Sequence, residues 1–104
     1  MSKYILSPEA QISLKQIKEF STANFGAKKT KFYLQDILTR FRELATNPYL
    51  GIKRDELKAG YYSSSIGSHT IYYRINSNLV EVIDVLHQSM EPARNLLISS
   101  DSEE

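Results

Sequence analysis

Two apolar runs separated by a short polar turn constrain the fold of this chain most strongly. The runs are residues 69–75 and 80–87, and both are rich in β-branched and aromatic residues, which fit a pleated sheet. Asn76, Ser77 and Asn78 lie between them, and asparagine favours turns because it tolerates a left-handed backbone. The two runs therefore predict a tight antiparallel β-hairpin.

The second run carries apolar side chains at both odd-numbered and even-numbered positions. Strict alternation places Val80, Val82 and Leu86 on one face, and it places Ile83 and Val85 on the other. A strand with apolar groups on both faces is usually interior to its sheet. We therefore expect this run to form the central strand, with Ile83 and Val85 buried.

A strand candidate at residues 3–7 and two helix candidates precede the hairpin. Pro8 stops the strand, and Ser7 followed by proline is typical of a helix start. Gly26 ends the first helix and Asn47-Pro48 ends the second. The apolar positions at helical spacing are Ala10, Leu14, Ile17 and Phe20 or Ser21 in the first helix, and Tyr33, Ile37, Phe41 and Leu44 in the second.

Two further strand candidates lie between the helices and the hairpin, at residues 55–57 and 61–66. The resulting order predicts an α+β fold. It consists of an N-terminal strand, a two-helix antiparallel hairpin and a four-strand antiparallel meander, with the helices packed on one sheet face. A short C-terminal helix is expected within residues 90–97.

The length and composition of the chain limit its class. Its 104 residues suffice for one domain, which we place at residues 1–98, followed by an acidic flexible tail at 99–104. The chain has no cysteine, so disulfides and thiolate chemistry are excluded, and no nucleotide or common metal motif is present. No apolar run approaches the roughly 20 residues of a membrane span, and no signal-peptide core follows the N-terminus. We expect a cytoplasmic protein without cofactor, metal or membrane contact.

The charge is distributed unevenly along the chain. Residues 28–54 hold seven Lys or Arg against two Asp or Glu, a net charge of +5, whereas residues 55–104 hold three against eight, a net charge of −5. A basic segment of this kind can meet an acidic partner or a nucleic acid. It can also be an ordinary solvated helix face, and the sequence leaves both interpretations open.

The only two histidines, His69 and His87, lie at opposite ends of the two hairpin runs. Antiparallel pairing brings the start of one run near the end of the other, so we expect the two rings to be neighbours. A histidine pair can perform general acid and base chemistry near neutral pH. Equally, two such histidines can be structural, with their ring nitrogens bonded to backbone carbonyls at a sheet edge.

Two arginines also have both a functional and a structural interpretation. Arg74 is either a cation exposed on the sheet, able to bind phosphate or carboxylate, or the partner of Asp84 or Glu81 across the hairpin. Arg54 has the same two interpretations, because Asp55 and Glu56 follow it directly and could pair with it.

Three stretches occur in an order and spacing that resemble a known family. They are Leu50-Gly51-x-x-Arg54-x-Glu56-Leu57-x-x-Gly60-Tyr61, Ser68-His69-x-Ile71-Tyr72-Tyr73-Arg74-Ile75 and Val82-Ile83-x-Val85-Leu86-His87-x-x-Met90-Glu91-Pro92. With the N-terminal strand, the Ser-Pro-x-Ala helix start and two long helices, they resemble a ParE toxin of the RelE/ParE toxin-antitoxin superfamily. The resemblance covers about residues 3–97.

The resemblance implies a toxin that inhibits DNA gyrase and so blocks replication. It also implies neutralisation by a cognate antitoxin encoded by the adjacent gene, with DNA contacted only indirectly through the toxin-antitoxin complex. RelE-type relatives instead cut ribosome-bound messenger RNA, with lysines and arginines on the sheet. Only Arg74 and His87 match that pattern here, so no catalytic residue is expected. The alternatives are a RelE-like ribosome-dependent endonuclease that uses Arg74 and His87, and a binding module that has lost activity.

Candidate contact residues come from the resemblance and from the polar segments that the core needs least. The first strand is a further candidate, because an uncovered strand edge is a common interaction site. The target-binding candidates are Arg54, His69, Arg74, His87, Met90 and Arg94. The antitoxin-binding candidates are Lys3, Tyr4, Ile5, Lys28, Lys29 and Arg40.

Overall fold

The computed structural model describes residues 3–96, in which two long helices pack on one sheet. In chain order the elements are β1 (Lys3–Leu6), α1 (Pro8–Phe25), α2 (Ala27–Thr46), a 3₁₀ turn (Pro48–Leu50), β2 (Ile52–Lys53), β3 (Tyr61–Ile66), β4 (His69–Asn76), β5 (Leu79–His87) and α3 (Pro92–Asn95).

The five strands form one sheet in the order β1-β5-β4-β3-β2. Strands β2 to β5 are an antiparallel meander, and β1 joins the sheet parallel to β5. The predicted α+β architecture is therefore confirmed, with β5 as an interior strand and a single-turn C-terminal helix. The predicted domain boundary after residue 98 and the tail at 99–104 lie outside the described residues.

Ser7 connects the start of α1 to the sheet. Its Oγ accepts the Ala10 N–H at 2.9 Å as the helix cap, and it donates to the Ile83 carbonyl at 2.6 Å. At the other end, Gly26 has φ of 90° and is the only residue between α1 and α2. Because that conformation costs glycine little, the chain reverses within one residue, and the two helices pack on each other.

The helices and the sheet enclose the main core. Ile37, Phe41 and Leu44 of α2 are fully buried against Ile71 and Tyr73 of β4, together with valines of β5. The sequence did not decide whether Phe20 or Ser21 continues the buried stripe of α1. Ser21 is the buried one, and its hydroxyl accepts a hydrogen bond from Thr30 Oγ1 at 2.8 Å across the helix pair.

The predicted faces of the second run are wrong beyond Val82. Tyr72 pairs with Asp84 and Tyr73 pairs with Val82, so Ile83 is an extra residue in β5. This β-bulge inverts the alternation of side chains. Val85 is buried, as predicted, and it lies in the core under the helices. Ile83 is only partly buried, and it packs in a second cluster on the opposite face.

Asp84 occupies the bulge and is buried. Its Oδ1 accepts the Val85 N–H at 2.7 Å and the Ser13 hydroxyl at 2.5 Å, which ties β5 to α1. Burial raises the pKa of the Asp84 carboxyl, and these two hydrogen bonds oppose that change. The bulge is therefore a specific junction between helix and sheet.

The strand predicted at residues 55–57 is also wrong. The second strand in sequence order lies at Ile52–Lys53 instead, and residues 55–57 form a turn in which the Leu57 N–H donates to the Arg54 carbonyl at 3.0 Å. The Asp55 carboxylate accepts the Gly60 N–H at 3.1 Å. Aspartate favours turns through such bonds, which here compete with the sheet.

Gly51 is expected to tolerate no side chain. A Cβ there would lie 2.3 Å from Tyr73 Oη and 2.6 Å from the Ser63 carbonyl oxygen. We expect Gly51→Ala to lower the free energy of unfolding by roughly 1–3 kcal/mol, measured by urea denaturation, because overpacking forces the backbone to move. The double variant with Tyr73→Phe should cost less than the sum of the two single variants, since it removes the nearest clashing atom. Strict additivity would contradict this explanation.

Candidate functional site: an apolar groove beside a histidine pair

A groove of about 670 Å³ lies between α1, the start of α2 and the adjoining ends of β4 and β5. Its apolar walls are Ile17, Phe20, Phe25, Val85, Leu86 and Met90. Phe20 and Phe25 are 66% and 62% exposed, which is unusual for side chains of this size. The groove is therefore apolar surface that the fold of this chain leaves open.

The predicted histidine pair lies at the edge of this groove. His69 and His87 are directly opposite each other in the β4–β5 pairing, and their ring centroids are 5.3 Å apart in an edge-to-face arrangement. His69 Nδ1 is hydrogen-bonded to Tyr33 Oη at 2.6 Å. His87 Nδ1 accepts the Ser89 N–H at 3.1 Å and lies 2.8 Å from the Ser89 hydroxyl. The partners are hydroxyl and amide groups, and not the backbone carbonyls that one interpretation predicted.

Burial, and then the charge of His87, lower the pKa of the His69 imidazole. In the unfolded chain this histidine binds its proton near the ordinary value of 6.5, whereas in the folded protein it does so only at lower pH. The unfolded state therefore binds more protons as the pH falls through that window, and the protein loses stability.

We accordingly expect the melting temperature to fall between about pH 7.5 and 5.5. His69→Gln should flatten that dependence, and His87→Gln should flatten it partly, because the second ring contributes only the smaller cause of the shift. Thermal melts at matched ionic strength test this. An equally steep dependence in His69→Gln would assign the effect to another group.

Arg74 lies far from the histidines and on the other face of the sheet. It pairs with Glu81 across the hairpin, as the ion-pair interpretation predicted, and Arg74 Nε donates to the Glu81 carboxylate. That contact lowers the pKa of the Glu81 carboxyl. His69 is the β4 residue that pairs with His87. Arg74 is five positions further along β4, a distance of about 17 Å. The structure does not bring Arg74 and His87 together.

The other two candidate arginines are also paired. Arg54 Nε donates to Glu56 at 2.7 Å and its guanidinium lies over the Tyr72 ring at 5.6 Å from the centroid. Arg94 is exposed and lies 3.4 Å from Glu91, one helical turn away. Met90 is the target-binding candidate that joins the two histidines in the groove.

The antitoxin-binding candidates fall into three places. Lys3, Tyr4 and Ile5 lie on β1, an edge strand, with Tyr4 packed on Phe41 and Ile5 exposed. Lys29 lines the groove, and Lys28 is the exposed residue before it. Arg40 lies elsewhere: its guanidinium donates to Glu43, to Ser64 Oγ and to the Ser65 carbonyl, and it lines a separate pocket.

Sequence reasoning missed the phenylalanines and Tyr33 as site residues. Phe20 and Phe25 lie outside the buried stripe of α1. An apolar residue outside such a stripe is the sequence signal that could have identified them as site residues. Tyr33 belongs to the α2 stripe, which gave no indication that its hydroxyl reaches His69. Burial raises the pKa of the Tyr33 phenol, so it is a neutral hydrogen-bonding group near pH 7.

Two other kinds of site are absent from residues 3–96. No helix there is long and apolar enough to cross a bilayer. The same residues contain no group of three or more histidine or carboxylate side chains placed to hold a metal ion.

Known relatives resemble the chain over most of its length. Toxin ParE1 of Mycobacterium tuberculosis is 38% identical over 96 residues, which are 91% of this chain and 98% of the relative. Toxin ParE1 of Caulobacter vibrioides is 33% identical over 96 residues, which are 92% of this chain and 99% of the relative.

Two solved structures share the fold. A chain of the chromosomal ParDE TA system from P. aeruginosa has a TM-score of 0.71 at 17% identity, covering 84% of this chain and 95% of that one. A chain of the toxin-antitoxin complex RelBE2 from Mycobacterium tuberculosis has a TM-score of 0.56 at 21% identity, covering 83% and 96%. Residues 4–92 match the family described as ParE toxin of type II toxin-antitoxin system, parDE. The chain therefore belongs to the ParE family, and it is a toxin of a type II toxin-antitoxin system.

Proposed function

We propose that this toxin inhibits DNA gyrase without catalysing a reaction of its own, and that an antitoxin encoded by the adjacent gene neutralises it. Membership of the ParE family supports DNA gyrase as the target. The observation that carries it within the chain is the separation of Arg74 from His87, which lie about 17 Å apart and on opposite faces of the sheet.

That separation matters because an endoribonuclease must act on one phosphodiester. It needs a base for the 2′-hydroxyl and cations beside the developing charge in the same site. Beyond Lys58 the only lysines or arginines are Arg74 and Arg94, and each is paired with a glutamate. Arg74 therefore does not complete such a site with His87, and the cation that lines the groove with His87 is Lys29 of α2.

The groove is the surface on which we place the antitoxin. An amphipathic helix binds by laying apolar side chains at three- and four-residue spacing into a groove of this kind. Phe20, Phe25 and Met90 supply exposed apolar contacts, and Lys29 offers a cation to an acidic segment. The exposed edge of β1 could accept an added strand from the same partner.

A segment that folds on binding gives up several kcal/mol of conformational entropy, so it must bury on the order of 1,000 to 3,000 Å². The groove alone is too small for that, and we expect the antitoxin to extend from the groove towards β1. The net +5 charge of residues 28–54 would accelerate its association at low salt if the segment is acidic.

Induction of the toxin gene without its neighbour tests the function in cells. We expect filamentation and DNA-damage signalling, and rescue when the adjacent gene is co-expressed. Co-expressed proteins should also elute together in size-exclusion chromatography. Translation arrest with codon-linked cuts in messenger RNA would favour the ribosome-dependent endonuclease. Harmless expression would indicate a binding module that has lost activity.

A further inference from the structure

A second apolar surface lies at the opposite edge of the sheet from β1. Tyr49, Leu50 and Ile52 are 71%, 53% and 70% exposed, although all three are large and apolar. They fall within four consecutive residues between α2 and β3. The exposed Arg42 lines a pocket together with Leu50, and the exposed Lys53 follows Ile52 on β2. Alternation along β2 places Ile52 and Lys53 on opposite faces of the sheet, so these residues surround its outer edge. We call these five residues the β2-edge surface.

This surface is held rigidly. Tyr73 Oη donates to the Pro48 carbonyl at 2.7 Å and accepts the Gly51 N–H at 3.0 Å, so a core tyrosine fixes the backbone on both sides of Tyr49 and Leu50. The Tyr49 ring packs edge-on against Tyr62 at 6.1 Å. A backbone that is already fixed does not have to be ordered when a partner covers these side chains, which reduces the entropy lost on binding.

The charge around the three apolar residues is positive. Arg42 and Lys53 form no ion pair within residues 3–96, and the nearby Glu43 is paired with Arg40. Arg42 and Leu50 also line a pocket of about 700 Å³ next to the surface, together with Arg40 and Ser64. The complementary partner is therefore acidic and brings apolar side chains.

The β2-edge surface is separate from the groove. Lys29, in the groove, and Arg42 are thirteen residues apart along α2, which is about 20 Å. The strands at the two ends of the sheet, β1 and β2, are four strand spacings apart, which is about 19 Å. A segment bound in the groove and along β1 would leave this surface uncovered.

We propose that the β2-edge surface docks the toxin on its target through an acidic protein surface that carries apolar anchors. This inference rests on the proposed function, because it takes gyrase to be the target. A protein partner fits better than a nucleic acid, since Leu50 and Ile52 gain free energy from apolar contacts that a phosphate backbone does not offer. The outer edge of β2 is unpaired within the described sheet and adds main-chain donors and acceptors to the same surface.

Two double variants test the docking surface, Leu50→Ser/Ile52→Ser for its apolar part and Arg42→Glu/Lys53→Glu for its charge. A matched control is Ile12→Ser/Lys15→Glu, because both residues are exposed on α1 and neither lines the groove. The assay measures the toxin concentration at which purified gyrase accumulates cleaved plasmid, beside antitoxin affinity and melting temperature. We expect each surface variant to need at least about tenfold more toxin, with the melting temperature unchanged. Antitoxin affinity should also be unchanged when it is measured at a salt concentration that screens the steering charge of residues 28–54. The control should behave like the wild type.

The outcomes separate the two proposals. A wild-type toxin without effect on gyrase would overturn the proposed function and this docking surface with it. An active wild type with fully active surface variants would overturn the docking surface alone. Loss of antitoxin binding in the surface variants would assign the surface to the antitoxin. Binding of the wild type to plain duplex DNA, lost in the charge variant, would make it a nucleic-acid surface, and a concentration-dependent dimer lost in the apolar variant would make it a self-interface.

Discussion

Replacing Val85 with aspartate is expected to leave the protein unfolded at room temperature. Val85 is buried in the core under the helices, pairs with Ile71 and immediately follows the buried Asp84. An unpaired carboxylate there costs several kcal/mol or more, against a total stability of about 5–15 kcal/mol for a domain. Far-ultraviolet circular dichroism and a thermal melt measure the effect.

Ile83→Asp is the matched variant from the same strand. Alternation alone predicts the same loss of folding, but the bulge moves Ile83 to the second cluster, where it is only partly buried. We therefore expect Ile83→Asp to fold with a lower melting temperature. A cooperative Val85→Asp melt near the wild-type temperature would show that β5 is assigned wrongly, and equal loss of folding in both variants would argue against the bulge.

Substituting both exposed phenylalanines of the groove is expected to abolish neutralisation by the antitoxin. Phe20 and Phe25 are more than 60% exposed, so Phe20→Glu/Phe25→Glu should fold normally. If they anchor the antitoxin, a loss of 2 kcal/mol or more is typical of such positions, and it corresponds to at least about 30-fold weaker binding. Isothermal titration with the product of the adjacent gene measures the affinity.

Phe32→Glu is the control for this variant. Phe32 is 55% exposed on α2 but does not line the groove, so its substitution adds one of the two negative charges of the groove variant without touching the proposed site. We expect its affinity for the antitoxin to match the wild type. An equal loss of affinity in both variants would indicate a general charge effect, and no loss in the groove variant would place the antitoxin elsewhere.

Much of the fold could be predicted from local sequence signals. The Ser7-Pro8 start of α1 and the chain reversal at Gly26 each act within a few residues, so their chemistry can be recognised in the sequence. The turn between β4 and β5 was predicted at the right place, but Ser77 and not an asparagine adopts the left-handed backbone there. The closeness of His69 and His87 also followed, because a tight hairpin fixes which residues face each other.

The remaining features depend on contacts between distant parts of the chain. The bulge at Ile83 is fixed partly by Ser7 and Ser13, more than 70 residues away, so alternation within the strand could not reveal it. The groove is lined by residues of α1, α2, β4 and β5, so it depends on how these elements pack rather than on any single motif. Predicting the separation of Arg74 and His87 would have required both the pairing register of the hairpin and the face on which each side chain lies.

Purified gyrase with supercoiled plasmid tests the central claim most directly. The toxin alone should increase the cleaved plasmid that is recovered after denaturing the enzyme, and toxin mixed beforehand with its antitoxin should not. The same preparation should leave messenger RNA intact in a translating extract. Gyrase unaffected at any toxin concentration, together with codon-linked messenger RNA cuts that disappear in Arg74→Ala, would contradict the account.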